Sequence, residues 1–186
     1  MNTTIKSLAG VAVSLLLAAC QSAPTAFGPG ATPDQLVHRA SRFSFPSRVG
    51  SFVRERAIQY DSSGQNVSVG YNAGLLIAAT VYVYPAAGPP LGTEFASRRA
   101  EVSGGHPGAS LVGQRTVTVT PRGVSARAAS FSYTDIFAHT SQQLTSELVL
   151  AQHGNQFVKY RFTYPASHAD RASTEINQFL RSLSWP

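Results

Sequence analysis

The chain has 186 residues, 43% of them hydrophobic and only 13% charged, with 15 basic against 9 acidic residues and a single cysteine. That apolar content argues against a disordered chain and supports one buried core, and the length suits one domain. One cysteine excludes an internal disulfide framework and a cysteine-cluster metal site, and a formal charge of +6 without a dense basic–aromatic motif argues against a nucleic-acid partner.

The chain opens MNTTIKSLAGVAVSLLLAACQSAP. Lys6 supplies the charge of a short basic region, Leu8 to Leu17 form an uncharged run, and the small residues Ala18 and Ala19 precede Cys20. That is the layout of a secretory signal, and the run is well short of the roughly 20 apolar residues a spanning helix needs. The stretch Leu17-Ala18-Ala19-Cys20 resembles the lipobox of bacterial lipoproteins. The resemblance implies cleavage before Cys20 and a diacylglycerol on its sulfur, with acyl chains holding the protein to a membrane at ~0.8 kcal/mol per buried CH₂. Residues 1–19 then form the signal peptide. Gln21 stands where an aspartate would retain an enteric lipoprotein in the inner membrane, so the same resemblance implies the outer membrane, facing the periplasm. Residues 20–33 are small, uncharged and rich in proline and glycine, which reads as a flexible tether. Residues 34–186 read as a single globular domain.

Within that domain, Thr32, Pro33 and Gln35 form a capping pattern that predicts a short helix over 33–39. FSFPSRVGSFVRERAIQY predicts an extended start and a strand over 50–60, and DSSG at 61–64 a turn. Residues 66–72 alternate with period two, and LLIAATVYVY at 75–84 is apolar on both faces, the pattern of a central strand covered on two sides. A helix is expected over 93–102, capped by Thr93, with Glu94 in its first turn. Strands follow over 111–120, 124–133, 144–152 and 157–163, with turns at PRG (121–123) and HGN (153–155). The end of the chain carries Ala172, Ile176, Phe179, Leu180 and Leu183 at three- and four-residue spacing, the stripe of an amphipathic helix that Ser167 would cap.

This order predicts an α+β fold: a single antiparallel sheet flanked by helices, closed by a C-terminal amphipathic helix. FSFPSRVGSF near its start and NQFVKYRFTYPASHADRASTEINQFLRSLSW at its end resemble the PsbP-like family. The resemblance implies an α/β/α sandwich and a tendency toward accessory, protein-binding roles. It carries over no functional residue.

No catalytic or metal motif is present: no GxSxG, SxxK, P-loop, GxGxxG or HExxH, and no paired histidines among His38, His106, His139, His153 and His168. No cofactor is expected. Two binding candidates remain. Tyr82 and Tyr84 share one strand face, as do Lys159 and Arg161 on another strand, and tyrosine and arginine are enriched at binding hot spots. The expectation is therefore a non-enzymatic accessory or binding module of the envelope, attached through Cys20. Its partner would be an envelope protein or an anionic envelope polymer. Two alternatives stand beside it: a small hydrolase of cell-wall or lipid material, marked by converging His and acidic side chains, or a structural subunit of an envelope complex, marked by a large exposed apolar patch.

Overall fold

The computed structural model describes residues 26–28 and 32–186; Cys20, the cleavage site and most of the tether lie outside the described residues. The elements in chain order are β1 (Gln35–Val37), β2 (Ser44–Pro46), β3 (Arg48–Val49), β4 (Phe52–Gln59), β5 (Val67–Ala73), β6 (Ile77–Pro85), α1 (Leu91–Gly105), β7 (Ser110–Val119), β8 (Val124–Phe137), β9 (Thr140–His153), β10 (Gln156–Pro165) and, after a 3-10 turn, α2 (Ala169–Ser182). Eight strands form one sheet in the order β3-β4-β5-β6-β10-β9-β8-β7, and every pairing in it is antiparallel. After β6 the chain crosses through α1 to the far edge. It then returns by hairpins until β10 closes against β6.

Period-two alternation explains the packing. Val67, Val69 and Tyr71 of β5, Val81 and Val83 of β6, and Val158, Tyr160 and Phe162 of β10 point into one cluster. Helix α2 joins that cluster through Ala172, Ile176, Phe179 and Leu180. The Phe179 ring lies 4.7 Å from Phe52, 5.3 Å from Tyr71 and 5.6 Å from Phe162, all edge-on, the arrangement aromatic quadrupoles favour. Residues on the other parity of β8, β9 and β10 form a second cluster, Phe131, Tyr133, Leu148, Leu150 and Phe157, with Phe95 and Val102 of α1.

Several expectations need correction. Residues 33–39 are not a helix. Gln35–Val37 pairs with Ser44–Pro46 as a separate two-stranded sheet, so the fold holds two sheets rather than one. The Gln35 side chain donates to Ser44 Oγ across that pair instead of closing a capping box. Ala26 is buried, and backbone bonds Arg39 N to Ala26 O and Gly28 N to Val37 O hold residues 26–28 against the domain. The strand buried on both faces is not β6, whose second face is only half-buried; it is β9, buried continuously from Ser146 to Ala151. Helix α1 starts at Leu91 behind Pro90, not at Thr93, since two prolines preset the helical entry. Helix α2 follows His168 without a side-chain cap, so Ser167 does not cap it. Strands β8 and β9 run to a tight turn at Ala138 and His139, both with positive φ (49° and 69°); no glycine marks it in the sequence. The turns at 61–64 and 153–155 form as their residues dictate. Asp61 Oδ1 accepts from Ser63 Oγ and Gln65 N, and Gly64 and Gly154 take positive φ.

Candidate functional site

Strand parity and the β6–β10 register build the site. Lys159 lies directly opposite Tyr82, Phe157 opposite Tyr84 and Arg161 opposite Thr80. All of these project from the face that carries α1. Helix α1 covers the β8–β9 part of that face, while Thr80 and Tyr82 on β6 stay half-buried. Where the helix edge meets the uncovered strands, a cavity of about 210 Å³ opens, lined by Tyr60, Asn66, Tyr82, Tyr84, Arg98 and Lys159.

Three of the four sequence candidates therefore meet in one cavity. Lys159 Nζ lies 4.1 Å from the centroid of the Tyr82 ring, a cation–π contact. Tyr60 runs nearly parallel to Tyr82, with centroids 6.4 Å apart, and its hydroxyl is 2.9 Å from Ser68 Oγ. Arg161, the fourth, does not line the cavity; its Nη2 donates to Ser146 Oγ at 2.9 Å, toward β9.

Helix α1 contributes what the sequence reading missed. Glu94, Arg98 and Glu101 fall on one helical face by spacing. Glu94 is buried and accepts from Tyr84 Oη at 2.8 Å and from Arg98 Nε at 2.6 Å. Arg98 also donates to Glu101 Oε1. The i, i+4, i+7 pattern of Glu94, Arg98 and Glu101 is the signal that would have found them. Tyr60 and Asn66, on either side of a turn, carry no such signal.

The electrostatics separate satisfied from unsatisfied groups. Glu94 and Arg98 are paired and hydrogen-bonded. Lys159 is not: its side chain is 12% exposed, its nearest carboxylate is Glu101 Oε2 at 3.8 Å, and no described residue gives its Nζ a hydrogen-bond acceptor. Burial holds its ammonium down at about 8, against an upward pull from Glu101. Burial raises the Tyr82 and Tyr84 phenols, the latter helped by its bond to Glu94, and lowers Arg161. Lys159 and Lys6 are the only lysines in a chain with 15 basic residues, the rest being arginine. A compact point charge, rather than a guanidinium fork, thus stands at the cavity floor.

No family model matches the chain, and no curated protein does. Among solved structures, the cyanobacterial PsbP protein CyanoP from Synechocystis sp. PCC 6803 superposes with a TM-score of 0.49 at 9% identity, over 86% of this chain and 96% of that one. PA94 from Pseudomonas aeruginosa, a protein of unknown function, superposes with a TM-score of 0.46 at 12% identity, over 59% of this chain and 74% of that one. Neither likeness assigns a function to the residues of the cavity.

Elsewhere, His106 Nδ1 lies 3.3 Å from Asp135 Oδ2 and the His106 ring stacks on Tyr133 at 4.1 Å. The Asp135 side chain is 50% exposed, and no described hydroxyl bonds to the imidazole. Among the described residues no three His, Cys, Asp or Glu gather at metal-holding spacing, and no helix is long and apolar enough to cross a membrane.

Proposed function

We propose that the protein is a non-enzymatic binding module of the bacterial envelope, anchored through a lipid on Cys20 and facing the periplasm from the outer membrane. The domain is read as an α/β/α sandwich of the PsbP-like kind. Support for that reading is that Phe95 and Val102 of α1 pack in one apolar cluster and Phe179 of α2 in the other, on opposite strand parities.

The observation that carries the binding role is Lys159. It is a largely desolvated cation, its side chain 12% exposed, with an open cavity in front of it and no hydrogen-bond acceptor among the described residues. Desolvating an ammonium is costly, and a fold that only needed a packed sheet would place an apolar residue there. Positions that break a local stability rule are most often functional ones. The aromatic lining, Tyr60, Tyr82 and Tyr84, is the type that supplies contact area at little entropic cost. The support for anchoring is the Leu17-Ala18-Ala19-Cys20 box.

Two measurements test the two halves. Mass spectrometry of the N-terminus should find diacylglycerol on Cys20, and Cys20→Ser should lose it; a chain that begins downstream of Cys20 and bears no lipid refutes the anchor. Affinity capture from detergent-solubilised envelope should retain a component with the wild-type chain and lose it with Lys159→Met. Capture indifferent to that substitution refutes the cavity as the binding site.

A further inference from the structure

Glu101 gives the cavity its chemistry. Its side chain is 48% exposed at the rim, yet it bridges the two cations, bonding Arg98 and lying 3.8 Å from Lys159. A solvated carboxylate held there gains little by itself, since exposed ion pairs contribute near zero to ~1 kcal/mol. It marks the place where a negative group meets both cations at once. In the cavity Lys159 and Arg98 face Glu94 and Glu101, and the charge of Arg161, on the same strand face but turned toward β9, adds to the positive side. Glu94 is buried and its Oε1 accepts from both Tyr84 and Arg98, which holds it in place. Glu101 can swing outward, and an anion entering the cavity would take its place.

The rest of the lining restricts the body that carries the anion. Tyr60 is 51% exposed and runs on into Tyr82, offering an aromatic wall. The C–H face of a sugar ring lies well on such a wall. The Asn66 side-chain amide, with donors and an acceptor, makes no hydrogen bond to another described residue, and hydroxyl or acetamido groups would satisfy it. A cavity of about 210 Å³ holds roughly one sugar ring rather than a chain of them.

We propose that this cavity binds a single sugar ring bearing one carboxylate or phosphate, with the anion displacing Glu101 from Lys159 and Arg98 and the ring lying on Tyr60 and Tyr82. The proposal deepens the binding-module reading and rests on it. The shared chemistry, an anionic sugar, has two envelope sources: the carboxylated sugar of cell-wall glycan and the phosphorylated sugars of lipopolysaccharide.

The test titrates the ¹⁵N-labelled full chain, in detergent, with N-acetylmuramic acid and with glucose 1-phosphate, each beside its neutral counterpart, N-acetylglucosamine and glucose. At least one anionic sugar should produce saturable shifts at Asn66, Tyr82 and Lys159, with its neutral counterpart about tenfold weaker or more. Which of the two anions binds tighter separates the sources. Glu101→Gln, which removes the competing carboxylate, should tighten the anionic sugar several-fold, and Lys159→Met should abolish its preference over the neutral one. Thermal melts confirm that both variants are folded. Shifts by neither anion, equal binding of neutral and anionic sugars, or a Glu101→Gln variant that binds no tighter would each overturn it. A chain that still captures an envelope component through Lys159 but ignores both sugars leaves the binding module standing and sinks the anionic-sugar assignment.

Discussion

Replacing Lys159 with Met should make the isolated protein more stable while removing its ligand. The magnitude follows from the site. Burial lowers the ammonium from the usual 10.5 to about 8, and at about 1.4 kcal/mol for each tenfold change in proton affinity this is a folding cost of about 3–4 kcal/mol. The cation–π contact with Tyr82 offsets ~0.5–2 kcal/mol of it, leaving a net gain of about 1–3 kcal/mol on substitution. Met matches the length and flexibility of the lysine stem and leaves no void. The pH dependence fixes the sign. The folded-state pKa lies below the unfolded one, so between about 8 and 10.5 the unfolded chain keeps the proton and the folded chain releases it. The cost is therefore whole below pH 8 and fades as pH rises to 10.5. Tyr82, Tyr84, Arg98, Arg161, Glu94 and Glu101 face the same amine and are common to both proteins. Urea unfolding of wild type and variant at pH 7 and pH 10 reads the difference directly. A variant less stable than wild type at pH 7, or an advantage of equal size at both pH values, refutes the assignment of Lys159 as a destabilising charge.

Phe179→Ala should cost ~3–5 kcal/mol in the same assay, because it removes the ring on which Phe52, Tyr71 and Phe162 converge, while Arg181→Ala on the exposed side of α2 should stay within about 0.5 kcal/mol; equal effects would refute the packing. His38 is buried, with Nε2 2.7 Å from Gly64 O and Nδ1 2.6 Å from Ser41 Oγ, and burial lowers its pKa below the usual 6.5 despite the Gly64 bond. Its folded pKa is depressed, so stability should fall as pH drops below about 6.5, and His38→Gln should flatten that limb of the urea-midpoint profile; an unchanged profile refutes it.

How far the site is legible in the sequence depends on what the two periodicities reach. Period two puts Tyr82 beside Tyr84 and Lys159 beside Arg161, because each pair lies on one strand. It cannot put Lys159 opposite Tyr82, since β6 and β10 are joined only after the chain has crossed through α1 and returned by hairpins. The helix at 91–105 is visible, but which face meets Tyr84 depends on that crossing. The apolar run at 75–84 looks doubly covered because alanines, threonine and tyrosines tolerate a half-buried face as well as a buried one. Ser146 and Glu147 hide the true doubly buried strand, since Glu147 is accommodated by Tyr164 Oη at 2.8 Å and Arg115 Nη2 at 2.6 Å. The capping pattern at Thr32 fails because Thr32 and Gln35 exchange backbone bonds in a tight turn, and the pairing of β1 with β2 outweighs local helix preference.

The most direct measurement follows Lys159 itself. The sequence holds two lysines, Lys6 and Lys159; in the ¹³C-lysine-labelled protein Lys6 leaves with the signal peptide on the proposed reading, and Lys6→Arg secures Lys159 as the one reporter in any uncleaved chain. Its Cε shift should titrate with a midpoint near 8, and saturation with an anionic sugar should move that midpoint upward, because an anion at Nζ favours the charged form. A midpoint at the ordinary 10.5, unmoved by either anionic sugar, would contradict a buried, unsatisfied ammonium kept for an anionic ligand.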